Sequence, residues 1–311
     1  MRIGIVGGGI CGLYLAINLA KKGEEVFVFE KKKQIGQKAC SCLISERIFD
    51  FLPQAKKLQK ILIKKVIVVF PKKEVEIFFK RNFFVFERKN LEETLYFLAK
   101  KEGVKIFLGK KIEDLPKGFD VLIGADGALS VVRKKLNLKK EPEIFLGLQA
   151  MEKKENYDDF ATVFPTKFGI LWKIPRGENT EWGIVERPKF AKKIFFEFLK
   201  KNKIEIFNLK SSFISQGLVF SSSNSIFLLG EAQGLTKPWS FGGIIWGLES
   251  CKIFLKNFLD AQKFEKEVKK FFLPQIFLSK ILRKIFCFLG FNFPYFLPKT
   301  FKIDGDYFLK P

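Results

Sequence analysis

Histidine is absent from all 311 residues of the chain. Its absence excludes Ser-His-Asp and Cys-His catalysis and every metal site built on imidazole, and we predict no metal site. Cysteine is scarce, with five residues at irregular spacing. An odd number of cysteines argues against a secreted disulfide framework and predicts a reducing, cytoplasmic location.

Long hydrophobic runs are missing as well. No stretch of about 18 uninterrupted apolar residues occurs, so we predict no transmembrane helix. The apolar N-terminus contains Gly7-Gly8-Gly9 and no small-residue cleavage site, so we do not interpret it as a signal peptide.

Acidic residues are outnumbered by basic ones, 33 against 56, and the net charge is +23. This balance favours anionic partners such as lipid head groups, nucleic acid or acidic substrates. Because the lysines are scattered through almost every segment, a generic solvated surface is the simpler interpretation, followed by a membrane surface. The hydrophobic content of 47% suffices for a sizeable core in one large domain or two intimate ones. The 39 phenylalanines are explained most simply by the codon usage of an AT-rich genome.

A glycine fingerprint lies between a predicted strand at 2–7 and a predicted helix at 12–22. Gly7 permits a tight turn, Gly9 lets the backbone approach a pyrophosphate, and Gly12 lets the helix pack closely on the strand. Glu30 ends the next strand, where a carboxylate binds ribose hydroxyls. The complete strand–helix–strand context predicts a dinucleotide site, and a tight turn without a ligand is the alternative.

A second motif follows a predicted strand at 121–124. Asp126 precedes Ser130 and Arg133 at the start of a helix. Residue types alone leave two interpretations open: Asp126 either caps that helix or lies in a turn beside the cofactor.

The third motif is the most informative. A predicted strand at 226–229 ends in Gly230-Glu231, and a glycine-rich turn continues to Gly242 and Gly243. A carboxylate at a strand end beside such a turn is placed to grip a polyhydroxylated cofactor with side chain and backbone together. Combined with the first fingerprint, this motif favours a flavoenzyme.

The order of elements predicts an α/β fold: a Rossmann-like cofactor-binding domain, an inserted antiparallel substrate-binding sheet and a helical C-terminus. We predict a hairpin at 64–79, helices at 91–102 and 190–207, and successive strands from about 144 to 186. The predicted cofactor domain comprises 1–62, 88–140 and 215–260, the substrate domain 63–87 and 141–214, and the C-terminal segment 261–311.

The chain resembles the FAD-dependent monooxygenase-like superfamily, which has the para-hydroxybenzoate hydroxylase fold. The resemblance rests on three segments in this order: the first fingerprint with Glu30, then GADGALSVVR, then GEAQGLTKP. Within this superfamily the chain is similar to geranylgeranyl reductases. Two segments carry that similarity, KACSCLIS at 38–45 and GEAQGLTKPWSFGGIIWGLES at 230–250. Arg88 matches the arginine heading the superfamily's second-domain helix, and LWKIP at 171–175 resembles the family's substrate-sheet signature. The resemblance spans roughly residues 1–260.

The resemblance implies FAD as the cofactor and assigns roles to matching residues. It implies cofactor contacts at Gly7, Gly9, Gly12, Glu30, Arg88, Asp126, Gly230, Glu231, Gly242 and Gly243, and substrate contacts at Trp172, Pro175 and Trp239. The chain departs from the pattern at several positions: Glu231 replaces Asp, Cys42 and Phe241 stand where glycine is expected, Ser240 interrupts the same glycine run, Gln233 replaces Ala, and Ile170 replaces an aromatic residue.

Cys40 has two interpretations. It is either a small buried hydrophobe or, as the resemblance implies, a thiol near the flavin that contacts the ring or donates a proton. A disulfide with Cys42 is discounted because cysteines two positions apart seldom pair without strain.

The function that we predict from the resemblance is reduction of C=C bonds in a prenyl (geranylgeranyl) chain of a lipid, diphosphate or quinone, by hydride transfer from reduced FAD. The alternatives are an FAD-dependent monooxygenase acting on an aromatic or polyene, and a degenerate FAD-fold binding protein. The expected partners are an apolar isoprenoid or lipid substrate and an external electron donor, either NADPH or ferredoxin, with no nucleic acid.

The tail at 272–298 mixes apolar residues with Lys280, Arg283 and Lys284. It either packs on the body of the protein or lies on an anionic membrane surface, as basic amphipathic helices do. The second interpretation predicts peripheral attachment at the inner face of the membrane.

Overall fold

Two β-sheets are built from segments that alternate along the chain. The computed structural model describes residues 1–221 and 223–309. The strands of the first sheet are β1 (Arg2–Val6), β2 (Glu25–Glu30), β6 (Lys105–Leu108), β7 (Val121–Gly124) and β13 (Ile226–Leu228). Their order is β13-β7-β1-β2-β6, and every neighbouring pair is parallel. The central strands β1 and β7 are almost wholly buried, as expected for a parallel sheet covered by helices.

Within residues 1–221 and 223–309, the second sheet has nine strands. They are β3 (Leu43–Ser45), β4 (Gln59–Phe70), β5 (Lys73–Phe86), β8 (Glu143–Glu152), β9 (Phe160–Pro165), β10 (Ile170–Pro175), β11 (Thr180–Glu186), β12 (Phe207–Gln216) and β14 (Thr300–Ile303). The order is β12-β8-β11-β10-β9-β4-β5-β14, and β3 pairs with the other end of β5. This sheet is mixed, because β4 pairs with β9, and β14 with β5, in parallel.

Seven α-helices accompany the sheets in the part of the chain that the structure describes. They are α1 (Ile10–Ala20), α2 (Ile48–Phe51), α3 (Arg88–Lys101), α4 (Val131–Lys135), α5 (Pro188–Lys201), α6 (Ile244–Lys256) and α7 (Ala261–Asn292), with short 3-10 helices at Pro53–Lys57, Gly230–Gln233 and Pro294–Phe296. The main hydrophobic core lies where α1, α3, α6 and the first half of α7 meet the first sheet. Helix α5 buries Phe195 and Leu199 against the second sheet in a separate cluster.

The predicted fold class is confirmed: the chain is an α/β protein with a Rossmann-like parallel sheet, a second sheet and a largely helical C-terminal region. One part was wrong, since the second sheet is mixed and not antiparallel. Strands β4 and β9 are far apart in sequence, and the direction in which such strands pair is not encoded in either segment alone.

Several element bounds also differ from the sequence-based expectations. The hairpin extends from Gln59 to Phe86, the helix expected at 190–207 ends at Lys201, and the edge strand β12 was not predicted. The C-terminal segment, predicted to be helical, contributes β14 to the second sheet. The division of the chain into domains stays a prediction.

Candidate functional site

Two glycines shape the turn between β1 and α1. Gly7 has a φ angle of +109°, and a Cβ atom there would lie 2.4 Å from the carbonyl oxygen of Ala125. A Cβ atom on Gly12 would lie 1.9 Å from the carbonyl oxygen of Gly7. At Gly9, by contrast, the nearest atom outside the adjoining residues would be Glu92 Oε1 at 3.7 Å. The start of α1 therefore combines a closely packed base with room for a phosphate group in front of its amides.

Glu30 lies beside this turn at the end of β2. Its Oε2 accepts a hydrogen bond from the amide of Gly8 at 2.8 Å, and its Oε1 accepts one from the amide of Lys32 at 2.9 Å. These two bonds fix the carboxylate next to the glycine turn, in the position where dinucleotide-binding folds hold a ribose.

The turn after β7 contacts the same place. A Cβ atom on Gly7 would lie 2.8 Å from Asp126 Cα. Asp126 Oδ2 accepts a hydrogen bond from the amide of Val131 at 2.7 Å, so this side chain does cap α4. Its Oδ1 is buried without a hydrogen-bond partner among the described residues. Burial raises the pKa of Asp126, although hydrogen bonds from Ser130 and Val131 oppose that change. A contact with the cofactor stays a prediction.

The third motif converges on this site from the other side. A Cβ atom on Gly230 would lie 3.0 Å from Sγ of Cys11, on the first turn of α1. Glu231 Oε1 pairs with Nζ of Lys38 at 2.5 Å, while Oε2 is buried and has no hydrogen-bond partner among the described residues. A buried carboxylate oxygen without a donor is costly unless a ligand supplies one.

The second motif and the third are tied together by Arg133. Its Nη1 donates to the carbonyl oxygen of Ala232 at 2.9 Å, and its Nη2 donates to that of Ala128 at 2.6 Å. Ser130 Oγ accepts from the amide of Arg133 at 3.0 Å, which fixes the start of α4. Arg133 therefore connects the turn after β7 to the 3-10 helix that carries Glu231.

Arg88 begins α3 and points toward the glycine turn. Its Nη2 would lie 3.9 Å from a Cβ atom on Gly9. The guanidinium pairs with Glu92 Oε1, at 2.5 Å from Nη2 and 2.8 Å from Nε. Glu92 Oε2 accepts in turn from the amide of Gly36 at 2.9 Å. This arrangement fixes a buried cation between the glycine turn and the segment that leads to Cys40.

Cys40 and Cys42 form a coupled pair of thiols. The amide of Cys42 donates to Cys40 Sγ at 3.4 Å. The thiol of Cys42, and then the charges of Arg88 and Lys38, lower the pKa of Cys40 to about 6 against the opposing effect of burial. The pKa of Cys42 is raised, because its proton is shared with Cys40 and because it is buried. The two pKa shifts have opposite directions, so a proton shared by this pair favours Cys42 and a negative charge favours Cys40.

The glycine-rich turn after Glu231 is closed by its own backbone. The amide of Lys237 donates to the carbonyl oxygen of Gly242 at 3.1 Å. Lys237 Nζ lies 3.0 Å from Asp306 Oδ1, in a buried ion pair that anchors the C-terminal tail. A Cβ atom on Gly243 would lie 3.6 Å from Glu231 Cγ. Gly243 thus lies beside the carboxylate whose second oxygen is unpartnered.

The three residues expected to contact substrate occupy two places. Trp172 lies on β10, and its Nε1 donates to Glu181 Oε1 at 2.8 Å. Pro175 ends the same strand and is buried. Trp239 packs instead edge-on against Trp246, with 5.7 Å between ring centroids, and against Phe308 of the tail at 4.6 Å. Their contact with a substrate stays a prediction.

A buried network that the sequence did not reveal fixes the cysteine segment. Glu181 accepts hydrogen bonds from Trp172, from Gln149 Nε2 at 2.8 Å and from Arg176 Nε at 2.9 Å. Arg176 also donates to the carbonyl oxygens of Ser41 and Phe86. The guanidinium therefore bridges the second sheet and the backbone between Cys40 and Cys42.

Lys38 and Arg176 are the functional candidates that sequence reasoning missed. Each stands next to a residue that was singled out, Lys38 two positions before Cys40 and Arg176 directly after Pro175. Their partners are distant in sequence, however, and only the fold brings them together. A groove of about 440 Å³ between β5 and β14, lined by Lys64, Phe78, Phe79, Arg81, Asn82, Thr300, Phe301 and Lys302, shares no residue with this site.

Comparisons with known proteins agree with this architecture. Residues 5–56 match a model of the NAD(P)-binding Rossmann-like domain. A protein of Methanocaldococcus jannaschii described as uncharacterised is 29% identical over 254 residues, which cover 67% of this chain and 64% of that protein. The alignment therefore spans less than two thirds of the relative's length.

Two solved structures resemble the chain over nearly its whole length. A geranylgeranyl bacteriochlorophyll reductase-like protein from Thermoplasma acidophilum superposes with a TM-score of 0.79 at 20% identity, covering 91% of this chain and 86% of that one. A flavoprotein/dehydrogenase from Cytophaga hutchinsonii gives a TM-score of 0.73 at 17% identity, with coverage of 94% and 88%. The chain has the fold of these proteins. The predicted resemblance to reductases of the geranylgeranyl type is thereby confirmed at the level of the fold.

Proposed function

We propose that the chain is an FAD-dependent oxidoreductase. The observation that carries the proposal is the buried Oε2 of Glu231, an acceptor without a donor that lies beside the glycine-rich turn. A hydroxyl of the ribityl chain would supply the missing hydrogen bond. The amides at the start of α1 would bind the pyrophosphate, with Arg88 behind them, and Glu30 would bind the ribose.

The substitution of Glu for Asp at position 231 is compatible with this assignment. The longer side chain reaches Lys38, which neutralises one carboxylate oxygen at 2.5 Å and leaves the other for a ligand. The ion pair with Lys38 fixes the orientation of this carboxylate. The residues present therefore fit the dinucleotide that the resemblance implies.

The reaction that we propose is saturation of C=C bonds in a prenyl (geranylgeranyl) chain of a lipid, diphosphate or quinone. When bound, the reduced flavin supplies a hydride to one alkene carbon, and the other carbon needs a proton. The proton held between Cys40 and Cys42 is a source for it, because Cys42 can return the proton to Cys40. Solvent would then reprotonate the pair, and an external donor, NADPH or ferredoxin, would re-reduce the flavin.

The protein's part in this reaction would be positioning and exclusion of water. Arg176 holds the backbone of the cysteine segment through its hydrogen bond to the Ser41 carbonyl oxygen. Trp172 packs against the apolar cluster of Phe145, Val185 and Phe241.

The first test is uptake of FAD by the purified protein, followed by flavin fluorescence. We expect wild type to bind FAD and Glu231→Ala to bind it at least tenfold more weakly, because truncation removes a buried acceptor. Glu197→Ala, at an exposed position on α5, is the matched control and should bind like wild type. A protein that takes up no FAD would contradict the proposal and support the binding-protein alternative.

The second test is anaerobic incubation of the dithionite-reduced protein with a panel of prenyl lipids, diphosphates and quinones. The expected result is a gain of two mass units per reduced bond in one lipid class. Cys40→Ser should slow the reaction without reducing FAD binding. Oxygenated products with peroxide release in air, and no saturation without air, would instead establish a monooxygenase.

A further inference from the structure

One face of helix α7 is apolar and open to solvent. Phe277 is 69% exposed and Phe288 is 58% exposed, although both are large hydrophobic side chains. They belong to a stripe that we call the outer face of α7, formed by Leu273, Phe277, Ile281, Ile285, Phe288 and Phe291. Their spacing of three or four residues places them on one side of the helix, over a length of roughly 27 Å at 1.5 Å per residue.

The opposite face of α7 is anchored, so the exposure of the outer face is a property of the folded protein. Gly290 leaves no room for a side chain, since a Cβ atom there would lie 2.2 Å from the ring of Phe70. Arg283 Nη2 donates to the carbonyl oxygen of Gly169 at 3.1 Å, and Gln275 Nε2 donates to that of Leu309 at 2.8 Å. Helix α7 therefore packs on the body, as one interpretation of the tail expected, and still presents an unpartnered side.

The apolar surface continues past the end of the helix. Phe293, Tyr295 and Phe296 are exposed, with Tyr295 at 87% and Phe296 at 77%. Contiguous apolar patches of this extent are rare on monomers and mark interaction sites. Aromatic residues at the end of an apolar stripe are typical of the boundary between lipid chains and head groups.

The charge around this surface decides which partner it fits. Residues 268–303 contain no Asp or Glu, and the basic residues there are Lys269, Lys270, Lys280, Arg283, Lys284, Lys299 and Lys302. Lys280 and Lys284 are exposed along one margin of the outer face. Such a surface attracts anionic lipid head groups. A second copy would instead bring two such lysine pairs together, on chains that each carry +23.

We propose that the outer face of α7, with Phe293, Tyr295 and Phe296, is a docking surface for an anionic lipid bilayer. Among residues 1–221 and 223–309, no helix has the length and apolar character needed to cross a membrane. The helix therefore lies in the plane of the interface, with aromatic and aliphatic side chains among the acyl chains and lysines at the head groups. This proposal goes beyond the proposed reaction and does not depend on it.

Vesicle sedimentation of the full chain tests the proposal without FAD or substrate. We expect binding to vesicles of phosphatidylglycerol and phosphatidylcholine, and little binding to phosphatidylcholine alone. The Phe277→Ser/Phe288→Ser variant should bind at least tenfold more weakly, because it loses two apolar anchors. The Lys280→Glu/Lys284→Glu variant should bind anionic vesicles roughly 25-fold or more weakly at low salt, because each lysine contributes about fivefold to the affinity.

The matched control is Phe97→Ser/Phe196→Ser, which removes two exposed phenylalanines from α3 and α5. It should bind vesicles like wild type, and far-UV circular dichroism should show all variants folded. Equal binding by the control and the Phe277/Phe288 variant would overturn the proposal, as would wild type that ignores anionic vesicles. A wild-type dimer that Phe277→Ser/Phe288→Ser dissociates would assign the surface to a second copy. Vesicle binding without lipid reduction would refute only the proposed function.

Discussion

The charge on Cys40 is the property of the site that is easiest to test directly. The structure predicts that this thiol ionises far below an ordinary cysteine, because the Cys42 thiol and amide donate to it and two cations lie near. A variant without Cys40 should therefore lack one thiol that ionises below pH 7. The remaining cysteines include Cys287, whose pKa is raised by burial.

The size of the effect follows from the pKa values. A change in the pKa of Cys40 from 9.0 to about 6 favours the thiolate by about 4 kcal/mol, because one pKa unit corresponds to about 1.36 kcal/mol. At pH 7 about 90% of Cys40 would then be thiolate, against about 1% for an ordinary thiol with a pKa of 9. The donating thiol of Cys42 is the largest contribution, so Cys42→Gly should raise the pKa of Cys40 by one pH unit or more.

Thiolate absorbance at 240 nm provides the assay. The difference between wild type and Cys40→Ser, followed from pH 5 to 9, should show one step with a midpoint near 6. Cys287→Ser is the control, and its difference spectrum should show no step below pH 8. If the wild-type and Cys40→Ser titrations superimpose between pH 5 and 8, the charge assignment is refuted.

The same change predicts how stability depends on pH. The folded-state pKa of Cys40 lies below the unfolded one, so the thiolate stabilises the fold at high pH and this contribution is lost as the pH falls through about 6. Between pH 6 and 8 the free energy of unfolding of wild type should rise by about 2–3 kcal/mol relative to Cys40→Ser. Urea denaturation at both pH values measures the difference, and parallel pH profiles would contradict it.

Three further substitutions test the framework of the site, each by urea denaturation. Gly12→Ala forces a Cβ atom to within 1.9 Å of a backbone oxygen and should destabilise the fold by about 3 kcal/mol or more; unchanged stability would contradict the close packing of α1. Arg176→Gln leaves Glu181 buried without its cation and should cost about 3–5 kcal/mol, whereas Glu181→Gln in the same background should recover part of the loss. Phe241→Gly removes a ring packed 4.9 Å from that of Phe145. The free energy of unfolding should fall by about 2–3 kcal/mol, because the lost packing exceeds the backbone strain that glycine relieves. A stabilised variant would show that the strain outweighs the packing.

The first sheet could be predicted from sequence because its signals are local. Strand β7 has the predicted bounds and β2 ends at Glu30 as predicted, since each is a short apolar run closed by a glycine turn or a charged residue. The observed bounds of β1 and α1 lie within two residues of those predicted around the glycine fingerprint. These elements are read from periodicity and turn chemistry within a few positions of each residue.

The second sheet could be predicted only in part, because its pairing is nonlocal. Strand β12, with the sequence FNLKSSFISQ, is mostly exposed at a sheet edge and has no continuous apolar face to reveal it. The parallel pairing of β4 with β9 joins segments separated by about ninety residues. The contacts of Lys38 with Glu231, and of Arg176 with Ser41, depend on the same long-range arrangement and have no sequence signal of their own.

At two positions the chain combines a backbone conformation that favours glycine with a larger side chain. Cys42 and Phe241 stand where glycine is expected, and both have positive φ angles, +46° and +58°. The chain therefore retains a conformation that favours glycine, at a cost of roughly 1–2 kcal/mol for each residue. Each side chain provides an interaction that glycine lacks. Cys42 donates to Cys40 and shifts its charge, and Phe241 fills the cluster between the second sheet and α7, beneath Arg283. Both residues therefore combine a left-handed backbone conformation with an interaction made by the side chain.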